Sequence, residues 1–434
     1  MKTHFNFVNT WQAVLSIALL LLATAISSGQ DRIDAPLELT GRTMGPIPYS
    51  VVVAHYPKSV TSEALQSAVV DSLQRVNRLM STYIAESDVS RFNDSNSTEF
   101  FEVDPETAKV VARSIEISQQ TEGAFDITVG PAVNLWNFGP NKKQRFEIPS
   151  DEEIAAVKQV IGYEQLSVQF EPAAIRKSQP GVKIDLSAIA KGYAVDQVLA
   201  ELAVLGCRQV MVEVGGEIRT MGERYAGGPW RIAVEKPSET KSSSSDGWSG
   251  VAVISDRALA TSGDYRNYAE FEGHRYSHTI NPATCRPVTH WLATASIIAD
   301  DCMTADALAT AVSVLGFEAG AEMCEKLGVD YYLVNRDSEL GTSFVDKSST
   351  GFPFQEPVKK KVASNSIWPT FLGAIVIFGL MIVFMAVGAI FANKPITGSC
   401  GGIANVTNED GESNCGICSK PTTDCVENQP TANA

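Results

Sequence analysis

The sequence predicts an α+β domain of mixed, largely antiparallel sheets flanked by helices, followed by one C-terminal transmembrane helix. Three observations lead there. Short β-branched runs recur through the middle of the chain, and several are joined by turn dipeptides such as Gly215-Gly216 and Glu272-Gly273, which favour antiparallel pairing. Stretches with helical apolar spacing interrupt these runs irregularly, and no Gly-x-Gly-x-x-Gly follows a strand to argue for a doubly wound dinucleotide fold. Finally, the segment Ile367 to Phe391 is apolar and uncharged.

The elements follow in chain order. Residues 1–29 begin with a basic residue, continue as an apolar run from Ala13 to Ile26 and end in Ser27, Ser28 and Gly29. That is the layout of a secretory signal, and its run is short against the ~20 residues that a spanning helix needs. No cysteine follows it, so a lipid anchor is not expected. Leu65, Val69, Leu73, Val76 and Met80 predict a helix over 61–80. Asp104-Pro105 starts another, with Asp as cap and Pro at the first position, running to about Gly123. A third spans Gly192 to Leu205, with Gly206 as its stop; a fourth follows Met303 and ends at Gly316. Strands are expected at 51–55, 182–186, 209–214, 231–235, 251–254, 294–299 and 331–334. Residues 237–250 read as an inserted surface loop. The chain turns polar from 336, and residues 346–366 are expected to link the domain to the membrane.

The segment 367–391 is long enough to cross ~30 Å of hydrocarbon. With an export signal ahead of it, the domain lies outside and residues 392–434 inside: a single-pass protein of the bacterial inner membrane, with a periplasmic domain and a cytoplasmic tail. Lys359, Lys360 and Lys361 precede the helix, and the positive-inside tendency would place them in the cytoplasm. The export signal is taken to decide, because long domains translocate largely regardless of charge.

Charge excludes one class of partner. With 35 Lys and Arg against 50 Asp and Glu, the chain of 434 residues carries a net charge of −15. A nucleic-acid binder needs clustered cations to displace counterions, so nucleic acid is not expected. Of the eight cysteines, Cys207, Cys285, Cys302 and Cys324 are scattered and read as small buried residues or free thiols. Cys400, Cys415, Cys418 and Cys425 cluster after the membrane segment.

Three stretches could carry chemistry. Lys183 to Tyr193 packs Asp185, small residues and Lys191 around a helix start, where free N–H groups suit a phosphate; a capped loop with a solvated lysine also satisfies it. Asp306 and Thr310 are four apart on one helix face and are hard oxygen ligands suited to Mg2+; an exposed aspartate and a helix threonine bonded back to a carbonyl is the alternative. His278, among five histidines, ends a strand before Asn281-Pro282, as a loop-facing general base or as a structural histidine.

Taken in order, these and other stretches resemble one family. They include Met44-Gly45, Met80 to Tyr83, Ser90 to Asn93, GAFDITVGP at 123–131, Leu135 to Gly139, IDLSAIAKGYAVD at 184–196, VEVGGEI at 212–218, TSGDY at 261–265, SHTINP at 277–282 and ADALATA at 305–311. The resemblance is to the FAD:protein FMN transferase (ApbE) family and covers residues 38–345. It implies an ApbE-like fold and an Mg2+-dependent enzyme with FAD as substrate. Such an enzyme attaches FMN to a Thr or Ser hydroxyl of target flavoproteins and releases AMP. It further implies that His278 is the base, that Asp306, Thr310 and backbone oxygens of Ala188 and Ala309 hold Mg2+, and that Met44, Tyr83, Gly123, Ala124, Phe125, Asp185, Lys191 and Ile280 hold FAD. The sequence departs from the family pattern at Pro46, usually Thr, at Asn281, usually Asp, and at Cys285, usually Gly. An FAD pyrophosphatase using water as acceptor, or a non-catalytic flavin or metal assembly factor, are the competing expectations.

The tail carries a second resemblance. Four thiolates suit zinc or iron, and in a reducing cytoplasm a metal is favoured over disulfides. KPITGSCGG at 394–402, just after one membrane helix, resembles the maturation protein NqrM of the Na+-translocating NADH:quinone reductase. That implies iron binding or delivery by Cys400, Cys415, Cys418 and Cys425. The two halves together imply one polypeptide serving flavinylation outside and iron supply inside for a single respiratory complex.

Overall fold

The computed structural model describes residues 32–33, 35–139, 147–235, 237, 248–263, 268–271, 274–337, 343–355 and 374–384. The chain divides into two units, Met1–Pro357 and Val358–Ala434. The first is built on a nine-stranded sheet. Its path runs Arg32–Ile33, Ile47–Pro57, Gln209–Val214, Glu217–Met221, Ala258–Gly263, Leu292–Ala299, Asp330–Arg336 and Phe344–Ser348, with Leu37–Thr43 also on Ile47–Pro57. Every ladder is antiparallel, as the turn dipeptides predict.

Period-two alternation decides which face each side chain serves. Val51, Val53, Val210, Val212 and Ile297 turn to one side and pack with helices Ser62–Met80, Ala190–Val204 and Cys302–Leu315. Ala54, Leu259, Ile298, Tyr332 and Val334 turn to the other, where they meet Trp230, Ile232, Ala252 and Ile254. These last belong to a small sheet of Trp230–Glu235, Trp248–Ile254 and Phe354–Gln355. The strand Leu292–Ala299 is therefore covered on both faces and buried at all eight positions, which is why its sequence is an unbroken run of small and apolar residues.

The helices form where spacing and caps agree. Thr61 caps Ser62–Met80 by accepting from Ala64 N at 3.2 Å, and Leu65, Val69, Leu73, Val76 and Met80 are all buried. Burying each such side chain is worth roughly 1.5–3 kcal/mol. Asp104 caps Pro105–Gln120 through Glu106 N at 3.0 Å. Ala190–Val204 begins two residues before the expected start at Gly192.

Two expectations are corrected. Residues 182–186 pair in no ladder. Their alternation is real, since Val182, Ile184 and Leu186 are buried, but their hydrogen bonds run elsewhere. Asn93 donates Nδ2 to Ile184 O and accepts from Ile184 N, both at 2.8 Å, and Asp185 N donates to Ile127 O at 2.7 Å. A side chain and a loop supply what a neighbouring strand would. The linker also begins later than residue 346. Phe344–Ser348 pairs with Asp330–Arg336, Phe354–Gln355 pairs with Trp248–Ile254, and Phe352 is buried between Tyr332 and Phe354.

The signal and the cysteine tail lie outside the described residues, as do most of residues 367–391 and most of the loop 237–250. Within 367–391, residues 374–384 are helical with apolar side chains exposed. Among the described residues no helix is long and apolar enough to cross a membrane.

One close approach organises the helical layer. A Cβ on Gly192 would lie 2.2 Å from Cys302 O and 2.8 Å from Met303 Cα. Both obstacles are backbone, so neither can swing aside. Gly192→Ala should therefore destabilise the protein by about 1–3 kcal/mol, read as a lower urea midpoint at unchanged slope; an unaltered midpoint would contradict this packing.

Candidate active site

The same approach brings two helix starts together. Asp301 caps Cys302–Leu315 by accepting from Thr304 N at 2.8 Å. Asp196, from the neighbouring helix, accepts from Cys302 N at 2.9 Å, Met303 N at 3.0 Å and Arg219 Nη1 at 2.7 Å. One turn further in stands Asp306, 4% exposed. Its Oδ2 accepts from Gly192 N at 3.0 Å, and its two oxygens lie 3.2 and 3.4 Å from Lys191 Nζ. Lys191 also reaches Glu217 Oε1 at 3.0 Å.

This trio is electrostatically tight. Burial would depress the Lys191 ammonium, but Asp306 and Glu217 outweigh it and hold it above its ordinary value. Burial pushes the Glu217 carboxyl up, Lys191 pulls it back and Asp306 adds to the rise. With both carboxyls ionised, two carboxylates against one ammonium leave one unit of negative charge. Glu217 Oε2 is buried and accepts no hydrogen bond from any described residue.

These donors fit a small divalent cation. Thr310 shares the Asp306 face one turn on and is half-buried, as is Ala188, while Ala309 is buried. Among the described residues no group of three or more His, Cys, Asp or Glu is placed to hold a metal ion. The oxygen donors of Asp306 and Thr310 suit Mg2+, which takes one or two carboxylates and completes its shell with water and substrate phosphates.

A cleft of about 250 Å3 is lined by Tyr83, Ser90, Asn93, Gly130, Asn134, Lys183 and Asp185, among others. Tyr83 is 72% exposed, an aromatic face left open beside the cleft. Asn93 clamps Ile184, as described. Lys177 is 1% exposed and donates to Phe92 O at 2.9 Å and Val182 O at 3.2 Å, its charge over the Phe92 ring at 4.6 Å. Burial pushes it below its ordinary value. A Cβ on Gly130 would touch Asp185 Cβ at 3.4 Å. Three segments distant in sequence are thus stitched into one wall.

Gly123, at φ +82, terminates the preceding helix by donating to Ser118 O at 2.8 Å; Ala124 and Phe125 after it are buried. Asp126 accepts from Thr128 N at 2.7 Å and Tyr163 N at 2.8 Å. Met44, at φ +47, forms the turn between Leu37–Thr43 and Ile47–Pro57 with Gly45 and packs against the main core.

His278 follows the strand His274–Ser277 and is half-buried. Ile280–Asn281 then pairs with Arg286–Pro287, closing a turn. Asn281 Oδ1 accepts from Ala283 N at 2.8 Å, and its carbonyl accepts from Cys285 N at 2.8 Å. Cys285 sits at φ +55 with its thiol buried. The loop is pinned by Trp136, whose Nε1–H donates to Cys285 O at 2.8 Å and whose ring stacks on Tyr276 at 5.8 Å. Trp136, Ile280 and Cys285 share a small core with Ala132 and Ile154. Trp136 directly follows helix Gly130–Leu135, which lines the cleft.

The structure thus joins Lys191 to Asp306, and Tyr83 to Asp185. It sets Ile280 in the His278 loop, and it leaves Met44 at a separate turn. Sequence reasoning missed Glu217, Lys177, Asn93, Asp196 and Trp136. Lys177 had a signal, since it takes the inward register of Ala173 and Ile175 in AAIRK. Glu217 had one too, as an acid placed directly after Gly215-Gly216 at the start of a strand.

Carboxylates and an ammonium gathered at paired helix starts are the kind of arrangement used by enzymes that act on phosphates. Residues 45–333 match the ApbE family model, and residues 389–433 match the model described as (Na+)-NQR maturation NqrM. The FAD:protein FMN transferase of Vibrio cholerae is 39% identical over 80% of this chain and 99% of its own. That of Haemophilus influenzae is 39% identical over 73% of this chain and 90% of its own. The solved structure of the flavin transferase ApbE from Vibrio cholerae superposes with a TM-score of 0.66 at 38% identity, covering 74% of this chain and 99% of that one. The Pseudomonas stutzeri flavinyl transferase ApbE gives 0.65 at 34%, covering 73% and 95%. The chain belongs to the ApbE family of FAD:protein FMN transferases.

Trp136→Phe would leave the buried Cys285 carbonyl without its donor, at a cost of about 1–3 kcal/mol. Chemical unfolding should show that loss, and a variant as stable as the parent would mean the bond does not secure the His278 loop.

Proposed function

We propose that the protein is an Mg2+-dependent FAD:protein FMN transferase acting on the extracytoplasmic side of the bacterial inner membrane. The observation that carries this reading is the trio of half-buried Lys191 with buried Asp306 and Glu217, set where two helix starts meet, in a chain whose relatives are named for that reaction. In the reaction a Thr or Ser hydroxyl of the acceptor attacks the flavin-side phosphorus of FAD. A new phosphoester bond forms, the bond to the AMP oxygen breaks, and the hydroxyl proton passes to His278. Met44, Tyr83, Gly123, Ala124, Phe125, Asp185, Lys191 and Ile280 hold the dinucleotide. Its exposed ring gives Tyr83 a stacking surface, and Lys191 brings positive charge to the diphosphate. Asp306 and Thr310, with backbone oxygens of Ala188 and Ala309, would hold Mg2+, which would supply positive charge to offset that of the diphosphate.

The test incubates the protein with FAD, Mg2+ and an acceptor flavoprotein, then weighs the acceptor. Covalent FMN on a Thr or Ser is expected. His278→Gly should cut that yield about 10²–10⁴-fold, the usual contribution of a general base, with FAD binding kept. Free FMN without labelled acceptor would indicate hydrolysis instead, and undiminished transfer by His278→Gly would remove its role.

The C-terminal part extends the proposal. The NqrM match at 389–433 supports target subunits of a Na+-translocating NADH:quinone reductase, with residues 367–391 crossing the membrane and Cys400, Cys415, Cys418 and Cys425 binding iron inside. The apolar exposed helix at 374–384 supports the crossing. In intact cells Cys418 should resist a membrane-impermeant maleimide, and Cys418→Ser should lower the iron content of purified protein. Labelling from outside, or full iron retention, would overturn the tail's assignment.

A further inference from the structure

We propose that Glu217 is a positioning residue that draws the Lys191 ammonium off Asp306, so that Asp306 can take a divalent cation. The inference rests on the cation reading of Asp306 given above. Lys191 Nζ stands 3.0 Å from Glu217 Oε1 and 3.2 and 3.4 Å from the two oxygens of Asp306. The ammonium therefore lies against the very carboxylate oxygens that a cation would use. Two positive charges on one buried carboxylate repel strongly, so the lysine must leave before the cation can settle.

Glu217 provides the destination. Its side chain is 5% exposed, and its Oε2 accepts nothing among the described residues. An ammonium has three donors on a rotating head, and the N–H that leaves Asp306 finds a vacant acceptor on Glu217. Asp306 is kept from following the lysine by Gly192 N, which donates to its Oδ2 at 3.0 Å. Gly215 lines the path: a Cβ there would lie 3.4 Å from Glu217 Oε2 and 3.7 Å from Lys191 Cδ. With Glu217 neutral, a displaced ammonium has no charged partner and stays on Asp306.

The test titrates Mn2+ into the full chain without flavin, following free Mn2+ by electron paramagnetic resonance. Glu217→Gln should bind Mn2+ about tenfold more weakly than the parent. Lys191→Met, which removes the competitor, should bind it several-fold more tightly, and this second variant decides the matter if Glu217→Gln does not fold. Combining Glu217→Gln with Lys191→Met should change affinity less than about twofold relative to Lys191→Met alone, because no ammonium remains to be drawn away. A tenfold loss in that background would make Glu217 a direct cation contact and overturn its action through Lys191. Parent-like binding by Glu217→Gln overturns the proposal while leaving the Asp306 site intact; no binding by the parent overturns both.

Discussion

Lys191 shared between Asp306 and Glu217 is the contact on which the rest of the site depends. It unites three elements that are far apart in sequence: the start of Ala190–Val204, the turn of Cys302–Leu315 after its cap, and the strand Glu217–Met221. Burying two carboxylates such as Asp306 and Glu217 costs several kcal/mol each unless they are paired and bonded. Here the pairing is enforced from outside the trio. Gly192 lets two backbones approach where any side chain would collide, and Asp196 ties one helix to the first amides of the other. The charges do not build this geometry. They exploit a helix contact that packing has already fixed.

The sheet explains why that contact is rigid. Leu292–Ala299 is buried along its whole length, with helices on one face and the Trp230–Glu235 sheet on the other. The Cys302 helix follows that strand after a turn of only two residues, Asp300 and Asp301. A helix hung so closely on a doubly covered strand has little freedom to shift, and neither does Asp306. The cleft wall works differently. Its 182–186 segment has strand-like alternation but takes its hydrogen bonds from Asn93, Lys177 and Ile127. It therefore presents Lys183 and Asp185 to the cleft from irregular backbone that only tertiary contacts define.

This contrast marks what was legible in the sequence. The helices at Ser62, Pro105 and Cys302 carry capping side chains and that at Ala190 a glycine stop at Gly206, signals that are local and can be read directly. The central strands carry β-branched alternation, also local. Val182 to Leu186 carries the same alternation and is no strand, because alternation reports two faces of an extended chain and not the partner that bonds it. Asp306 and Thr310 could be paired from their spacing of four. Glu217 could not be joined to Lys191 that way, since the pairing exists only once the sheet order sets their elements side by side. Likewise, nothing near Trp136 in sequence announces that its indole N–H serves a carbonyl at position 285.

The two departures in the His278 loop can be separated on the same grounds. At 285 the backbone needs φ +55, a region where glycine is free and other residues lose roughly 1–2 kcal/mol. Cysteine accepts that strain in a place where its side chain is wholly buried beside Trp136 and Ile280, so packing offsets part of the loss. At 281 the turn needs an acceptor for Ala283 N, and the Asn281 amide oxygen provides it at 2.8 Å as well as a carboxylate would. Loop shape is thus kept at both positions. What changes at 281 is charge, a neutral amide standing where the family pattern has a carboxylate.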